Sequence, residues 1–504
     1  GALAPYNNGG NSYYTILNDK GATMTINNAT VENSGGYSSA IRNGGDSKCN
    51  NESYLTINDG NFSGGLNAVK NDELGILTIN GGTFSNSSQY VVMNWHKAVI
   101  NAGTFSAKES SDAVLQTASY DPVRGVGKLE ITGGTFKRTG TQDMIYPNFI
   151  DGKGNQYPGT ASITGGTFAT DVSAYVAEGY VQNNGTVEQL GETNAVAKVG
   201  NTYYKTLAEA VAAAPGDSTV VLLKDATLSK MVVIKKNLDI DLGGHKLSRA
   251  GSLLDIYNKT TIKNGTIDCT FNGDGTSCAV WVNTVANLTV EKNVTFTTSD
   301  KAFAVAFDSS CTTSSVAFKG TITGGNGITM NGQIKDTATS NKLIIDGATI
   351  KVNGHGLYLA GFANTEFTIN DSVISGATGI EIRAGKLNIA NSSISGNGAF
   401  SCEPNDGGTT TDGAGIAIAQ HTTKLPIDVT ISDGEISGTY AIYESNPQKN
   451  DADSIAKIKL AVTGGKFNGA LYSEDIKGFI TGGLFTSDPS DYCADNLTGV
   501  SSGN

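Results

Sequence analysis

Charge is scarce in this chain, and basic charge is the scarcer sign. Asp, Glu, Lys and Arg make up 16% of the 504 residues, and 35 basic against 47 acidic side chains leave a net charge of −12. A surface of that sign repels phosphate backbones and carries no basic cluster, so neither nucleic acid nor an anionic membrane surface is an expected partner. No apolar run approaches the ~18 residues that cross a bilayer, which excludes membrane insertion by a helix of this segment. Cysteine is rare as well. Cys49, Cys269, Cys278, Cys311, Cys402 and Cys493 show no paired metal spacing. Cys269 and Cys278 bracket a Gly-rich loop and read equally as a local disulfide or as two free, half-buried thiols. The four histidines, His96, His245, His355 and His421, share no ligand spacing either. No signal peptide opens the chain, so Gly1 reads as a processed start, and nothing before Asn11 resembles a cap. The chain is therefore expected to be a fragment of a longer one.

Glycine, at 64 residues, is abundant, and it punctuates a repeated phrase. In Leu77-Thr78-Ile79-Asn80-Gly81-Gly82-Thr83-Phe84 an apolar residue is followed five positions later by a second one. The pair recurs as Ile26/Val31, Ile57/Phe62, Ile79/Phe84, Ile100/Phe105, Ile131/Phe136 and Ile163/Phe168, at intervals of 31, 22, 21, 31 and 32 residues. Repeats at such a period with variable insertions mark a solenoid. Apolar and polar residues alternate before the glycines, as in a strand, and the glycines allow the chain to bend. One strand–bend–strand coil buries too little apolar surface to stand alone, so coils must stack. A second apolar segment lies between the phrases (Ala40-Ile41, Ala68-Val69, Val91-Val92-Met93, Val114-Leu115, Met144-Ile145) and predicts a further sheet. The polar column Asn27, Asn58, Asn80, Asn101, Thr132 and Thr164 predicts side-chain hydrogen bonds from coil to coil.

The segment 169–177 closes this first array, and 486–494 ends the chain in the same way. Two closures imply two arrays: residues 1–181, a connector at 182–199, and a second array at 200–504. The second opens with the one convincing helix, N-capped by Thr206, with Leu207, Ala210 and Val211 on one face and Pro215-Gly216 as its stop. The unit then continues as Ile262/Ile267, Val290/Phe296, Phe318/Ile322, Ile345/Ile350, Ile369/Ile374, Ile389/Ile394, Ile431/Ile436, Val462/Phe467 and Ile480/Phe485. The longest interval holds 402–415, which predicts an external loop. Asn-x-Ser/Thr sequences fall in the coil turns at 61–63, 264–266 and 391–393; glycans there would hinder stacking, which favours a bacterial product. The fold class is all-β, two consecutive parallel β-helices.

The passage from Tyr203-Tyr204-Lys205-Thr206-Leu207 through Leu238-Asp239-Ile240-Asp241-Leu242-Gly243-Gly244-His245-Lys246-Leu247 resembles the start of pectin-lyase-like right-handed β-helix domains. The Gly-Gly-Thr-Phe phrase and its Asp-x-Ser-x-Tyr closure (Asp171, Ser173, Tyr175; Asp488, Ser490, Tyr492) are similar to repeat domains of large surface proteins from Gram-positive gut bacteria. Together the resemblances cover nearly the whole chain. They imply a right-handed β-helix on the bacterial surface or secreted, and an adhesin whose partner is a host glycoprotein, such as mucin or immunoglobulin, or a polysaccharide. That fold hosts lyases, hydrolases, tailspikes and adhesins alike, so it does not choose an activity.

Alternation in the second array predicts outward columns. One reads Asp255, Trp281, Ala306, Thr329, Tyr358, Glu381, Ala417, extended by Tyr443 and Tyr472. The next reads Tyr257, Asn283, Asp308, Asn331, Ala360, Arg383, Ala419. Aromatic faces rimmed by amides and carboxylates suit a sugar, which makes Trp281, Tyr257, Tyr358, Glu381 and Arg383 candidate binding residues; against this stands the plain reading of scattered surface aromatics. In the first array, Tyr90, Trp95 and Tyr146, with His96, Tyr120, Phe149 and Tyr157, lie in or beside insertions. They would either form a protein-binding patch or fold back over the coil face. A glycosidase needs a carboxylate pair. Asn353-Gly354-His355-Gly356 is similar to the Gly-His-Gly element of polygalacturonases, with Arg383 a coil further on, but the coil before offers Asp336 alone. Asp308 and Glu381 are lone acids on other coils. No catalytic residue is therefore assigned, and no metal or cofactor is expected. Calcium is the one candidate, at the loops 151–155 and 272–275, neither of which has the full ligand set.

Overall fold

The computed structural model describes residues 14–35, 38–45, 50–273, 277–330, 339–362, 364–405 and 408–501. The chain divides into two compact units, 1–194 and 195–504.

In the first unit each coil contributes one strand to each of three sheets, and the strands pair in parallel from coil to coil. The repeated phrase sets the register: Ile57 pairs with Ile79, Ile79 with Ile100 and Ile100 with Ile131 in one sheet, while Phe62, Phe84, Phe105 and Phe136 pair in the next. These side chains are sealed from solvent. The Phe rings stack through the interior, with centroids 4.9, 4.8, 4.8 and 4.6 Å apart from Phe62 to Phe168. Parallel strands place identical residues above one another, so one good packing solution repeats down the coil axis. The two glycines of the bend have separate reasons. A Cβ on Gly81 would lie 2.6 Å from the Asn58 carbonyl oxygen of the coil before, and Gly82 takes φ +103°.

The expected polar column forms. Asn58 donates to Asn27, Asn80 to Asn58, Asn101 to Asn80 and Thr132 to Asn101, at 2.7–2.9 Å. A second ladder is buried at the end of the third sheet: Asn18, Asn43, Asn71, Asn94 and Thr117, all at most 2% exposed. Asn71 Nδ2 donates to Asn94 Oδ1 (2.8 Å) and to the carbonyls of Gly75 (2.8 Å) and Lys97 (2.9 Å), while Asn43 donates to Asn71 Oδ1 (2.8 Å). Each amide thus satisfies both the neighbouring coil and the bend inside it.

The two closures are alike in detail. Asp171 Oδ1 accepts the Ser173 N–H and Asp488 Oδ1 the Ser490 N–H, each beginning a single 3-10 turn. The chain then returns to the last coil, Ala177 N–H to Ile163 and Ala494 N–H to Ile480. Residues 182–199, read from sequence as one connector, are shared between the units. Thr186–Gln189, with its hairpin partner Tyr180–Asn183, adds antiparallel to the last coil of the first unit. Ala197–Val199 pairs antiparallel with Ser218–Leu222 in the second.

The second unit opens with helix Leu207–Ala213, whose N-cap Thr206 accepts the Glu209 N–H at 3.1 Å and whose Leu207, Ala210 and Val211 are buried. The unit is built on a 12-stranded sheet, parallel from Ser218–Leu222 onward, and a 17-stranded sheet. The larger sheet turns a corner, because strands such as Val294–Phe307 and Gly434–Ser445 run continuously through it. The Ile/Phe pairs register throughout, from Ile262–Val290 and Ile267–Phe296 to Ile431–Val462 and Ile436–Phe467. The expected external loop is in part regular: Ser401–Asn405 and Gly408–Asp412 form an antiparallel hairpin, and Ala414 and Gly415 already belong to a buried strand. Cys269 and Cys278 are buried free thiols, and burial pushes Cys278 up to about 12. Cys49 lies outside the described residues.

Candidate functional site

The first outward column exists in register. Asp255 pairs with Trp281, Trp281 with Ala306, Ala306 with Thr329, Thr329 with Tyr358, Tyr358 with Glu381, Glu381 with Ala417, Ala417 with Tyr443 and Tyr443 with Tyr472. Between two of its large rings, Trp281 and Tyr358, stand the small side chains of Ala306 and Thr329. A cleft of about 640 Å³ opens there, within the range of small-ligand sites. Three rung spacings separate the rings, ~14 Å at the usual distance between strands.

A second line of residues borders the cleft: Cys278 pairs with Phe303, Phe303 with Asn326, and His355 sits in the same line one coil on. It lies three residues before the first column rather than two. The intervening Ala279, Ala304, Gly327 and Gly356 are buried at the sheet corner. Polar groups are fixed around the rings. Trp281 Nε1 donates to Ser252 Oγ (3.1 Å), Asn326 Oδ1 accepts the His355 N–H (3.0 Å), Asn353 donates to Asp300 Oδ1 (3.1 Å), and Lys301 Nζ donates to the Gly273 carbonyl (3.3 Å). Asp300, Lys301, Asn326, Thr329 and His355 all line the opening.

The hairpin 401–412 closes one end, with Thr410 in the cleft wall. It is pinned at its returning strand: the Thr411 N–H donates to Glu381 Oε2 (3.1 Å) and Thr378 Oγ1 donates to the Thr411 carbonyl (2.7 Å). Glu381, expected as an outward binding residue, is accordingly 0% exposed, its Oε1 held by Arg383 Nε (2.8 Å) and Nη2 (2.6 Å). Arg383 is itself buried and lies over the Tyr358 ring, 4.8 Å from its centroid. Both residues are outside the dry interior, as alternation predicts, but they hold the wall of the cleft instead of facing solvent. His355 Nε2 stands 3.8 Å from Glu381 Oε2, too far for a hydrogen bond. Its ring meets Tyr358 edge-on at 5.1 Å.

No protein-family model matches the chain, and no curated protein shows significant similarity to it.

Tyr257 is half-buried beside Asp255 and away from the cleft, with Lys235 Nζ 5.6 Å from its ring. In the first unit Tyr90 and Trp95 are buried on the outer face of the sheet, joined by Met93, Ala113, Ala118, Tyr146 and Phe149. Trp95 lies between Lys70 Nζ (4.4 Å) and the Tyr120 ring (5.0 Å), and Tyr90 stacks on Tyr146 (6.4 Å). Of the two expectations for these aromatics, folding back over the coil face describes Tyr90 and Trp95. Asn331 and Asp336 lie outside the described residues.

At the first calcium candidate, Asp151 Oδ1 accepts the N–H groups of Lys153 and Asn155, and Oδ2 accepts Asn155 Nδ2 and the Tyr157 hydroxyl. Those donors make the loop an Asx turn. Among the described residues no three His, Cys, Asp or Glu side chains gather as a metal site. The loop 272–275 is only partly described.

Proposed function

We propose that this chain is a binding region of an extracellular bacterial surface protein, and that its second unit recognises a neutral glycan, free or carried on a glycoprotein, in the cleft between Trp281 and Tyr358. The observation that carries the reading is the pairing of two aromatic rings, ~14 Å apart along one column, with a small-residue floor and fixed amide, hydroxyl and imidazole groups at the rim. Apolar faces of a pyranose stack on such rings while its hydroxyls reach the rim. Charge selects among glycans. Asp300 and Lys301 balance one another in the cleft, and a chain of net charge −12 repels sulfated, sialylated or uronate polymers.

Polysaccharide cleavage is the rival reading. Acid–base hydrolysis of a glycosidic bond needs two carboxyl groups roughly 5–10 Å apart. Among the described lining residues Asp300 alone carries one, and Glu381 is consumed by Arg383 and Thr411. Recognition without turnover is therefore favoured.

The two tryptophans give a direct test. In a Trp95→Phe variant, Trp281 is the sole indole, and neutral oligosaccharides are expected to perturb its emission; Trp281→Ala should abolish the calorimetric heat of binding with the fold intact. If neither emission nor heat responds to any neutral glycan or to desialylated mucin, the reading fails and a passive stalk is favoured.

A further inference from the structure

The outward column does not end at the hairpin. Beyond it, Ala417 pairs with Tyr443 and Tyr443 with Tyr472. The two tyrosine rings stack at 4.9 Å, and Phe400, at the base of the hairpin, leans on Tyr443 (5.1 Å) and Tyr440 (4.6 Å). Tyr440 meets Tyr443 edge-on at 5.0 Å. Phe400 and Tyr472, 38% and 37% exposed, are the most open aromatic rings among the described residues of this unit.

We propose that Phe400, Tyr440, Tyr443 and Tyr472 form a second glycan-stacking site, so that the second unit holds one long neutral glycan at two points, on either side of the hairpin. The inference rests on the cleft reading for the class of ligand, and on this cluster for the site. Three arguments favour a glycan over a protein partner here. Four rings, two of them little more than a third exposed, fall far short of the ~800 Å² per partner that stable protein interfaces bury. Three of the four rings carry a hydroxyl, so apolar face and hydrogen-bonding rim come together as a sugar requires. The cluster also continues the column that builds the cleft: Tyr358 and Tyr443 are three rungs apart, ~14 Å, with the hairpin standing between them. Glu444 and Glu474 lie near Tyr472, which again disfavours an anionic ligand.

Two weak sites joined by one ligand bind as a chelate, and the gain appears only when the ligand is long enough to reach both. Affinity should therefore step up with glycan length. The test titrates the full chain with short and long members of the cello-, malto- and manno-oligosaccharide series. For wild type we expect a rise of about tenfold or more between members too short and long enough to span the hairpin. Phe400→Ala/Tyr472→Ala should remove that step, leaving affinity for the short members and the Trp281 emission response unchanged. Tyr472→Phe should keep the step. A length step equal in wild type and double variant, or no step in either while short members still bind, overturns the second site and spares the cleft. A silent Trp281 with no heat for any member overturns both.

Discussion

Trp281 and Tyr358 belong to one outward column, three rungs apart, with nothing larger than Ala306 and Thr329 between them. That gap is the cleft. Filling it should be as damaging as removing a ring. Thr329→Tyr places a third ring on the floor, and glycan affinity is expected to fall by about tenfold or more, ~1.4 kcal/mol, with the thermal midpoint little changed. Calorimetric titration against the neutral glycan that binds wild type best checks it; undiminished affinity would show that the floor is not occupied by ligand.

The column was readable from sequence because side chains alternate along a strand and the Ile/Phe phrase fixes which coils are neighbours. What alternation could not supply was cover. Glu381 and Ala417 point away from the interior, yet the hairpin from 401 to 412 lies over them, and its docking depends on the long-range bonds of Thr378, Glu381 and Thr411. The line of Phe303, Asn326 and His355 was missed for a local reason. At the sheet corner Ala279, Ala304, Gly327 and Gly356 insert one buried residue, so the outward spacing becomes three. Small residues recurring four coils running were the available signal. Tyr90 and Trp95 illustrate the converse: both face out from the coil, but the broad sheet beneath them gathers aromatics until they seal one another.

The buried amide ladder of the first unit was legible too, as Ile41-x-Asn43, Val69-x-Asn71 and Val92-x-Asn94, although only the exposed ladder was read. The two should differ sharply in worth. Asn71→Ala strips partners from Asn43, Asn94 and two main-chain carbonyls in a dry site, for an expected loss of about 3 kcal/mol. Asn80→Ala, on the exposed ladder, should cost about 1 kcal/mol or less because water replaces the lost bonds. Denaturant titration of both variants, followed on the first unit, measures the difference; equal losses would mean that burial does not govern these ladders.

Glu73 sets a pH dependence in the same unit. Burial, with the neighbouring Asp72 carboxylate, pushes its carboxyl up from 4.5 to about 7. The folded state therefore keeps a proton that the unfolded chain has already released, and stability falls as pH rises from about 4.5 through about 7. Glu73→Gln should flatten that slope and stabilise the unit above neutrality by of order 1–2 kcal/mol, a figure reduced for screening by water and Arg124. Melting curves across this range decide the matter, and an unchanged slope would place the proton elsewhere.

The aromatic stack bears on how such a fold fails. Phe105 lies between Phe84 and Phe136 with both centroid distances at 4.8 Å and no exposure. Phe105→Ala removes a ring from a continuous column, and truncation of a buried Phe costs about 3–5 kcal/mol. In a stacked-coil protein each coil touches only its neighbours, so the loss should stay local rather than unfold the whole chain. Hydrogen exchange is expected to rise in the strands Gly75–Ile79, Lys97–Ile100 and Lys128–Ile131, with the second unit unaffected because its core is a separate cluster. Uniform loss of protection across residues 195–504 would contradict that independence. Confinement to the coils flanking Phe105 would establish that each Phe supports its own rung and the next.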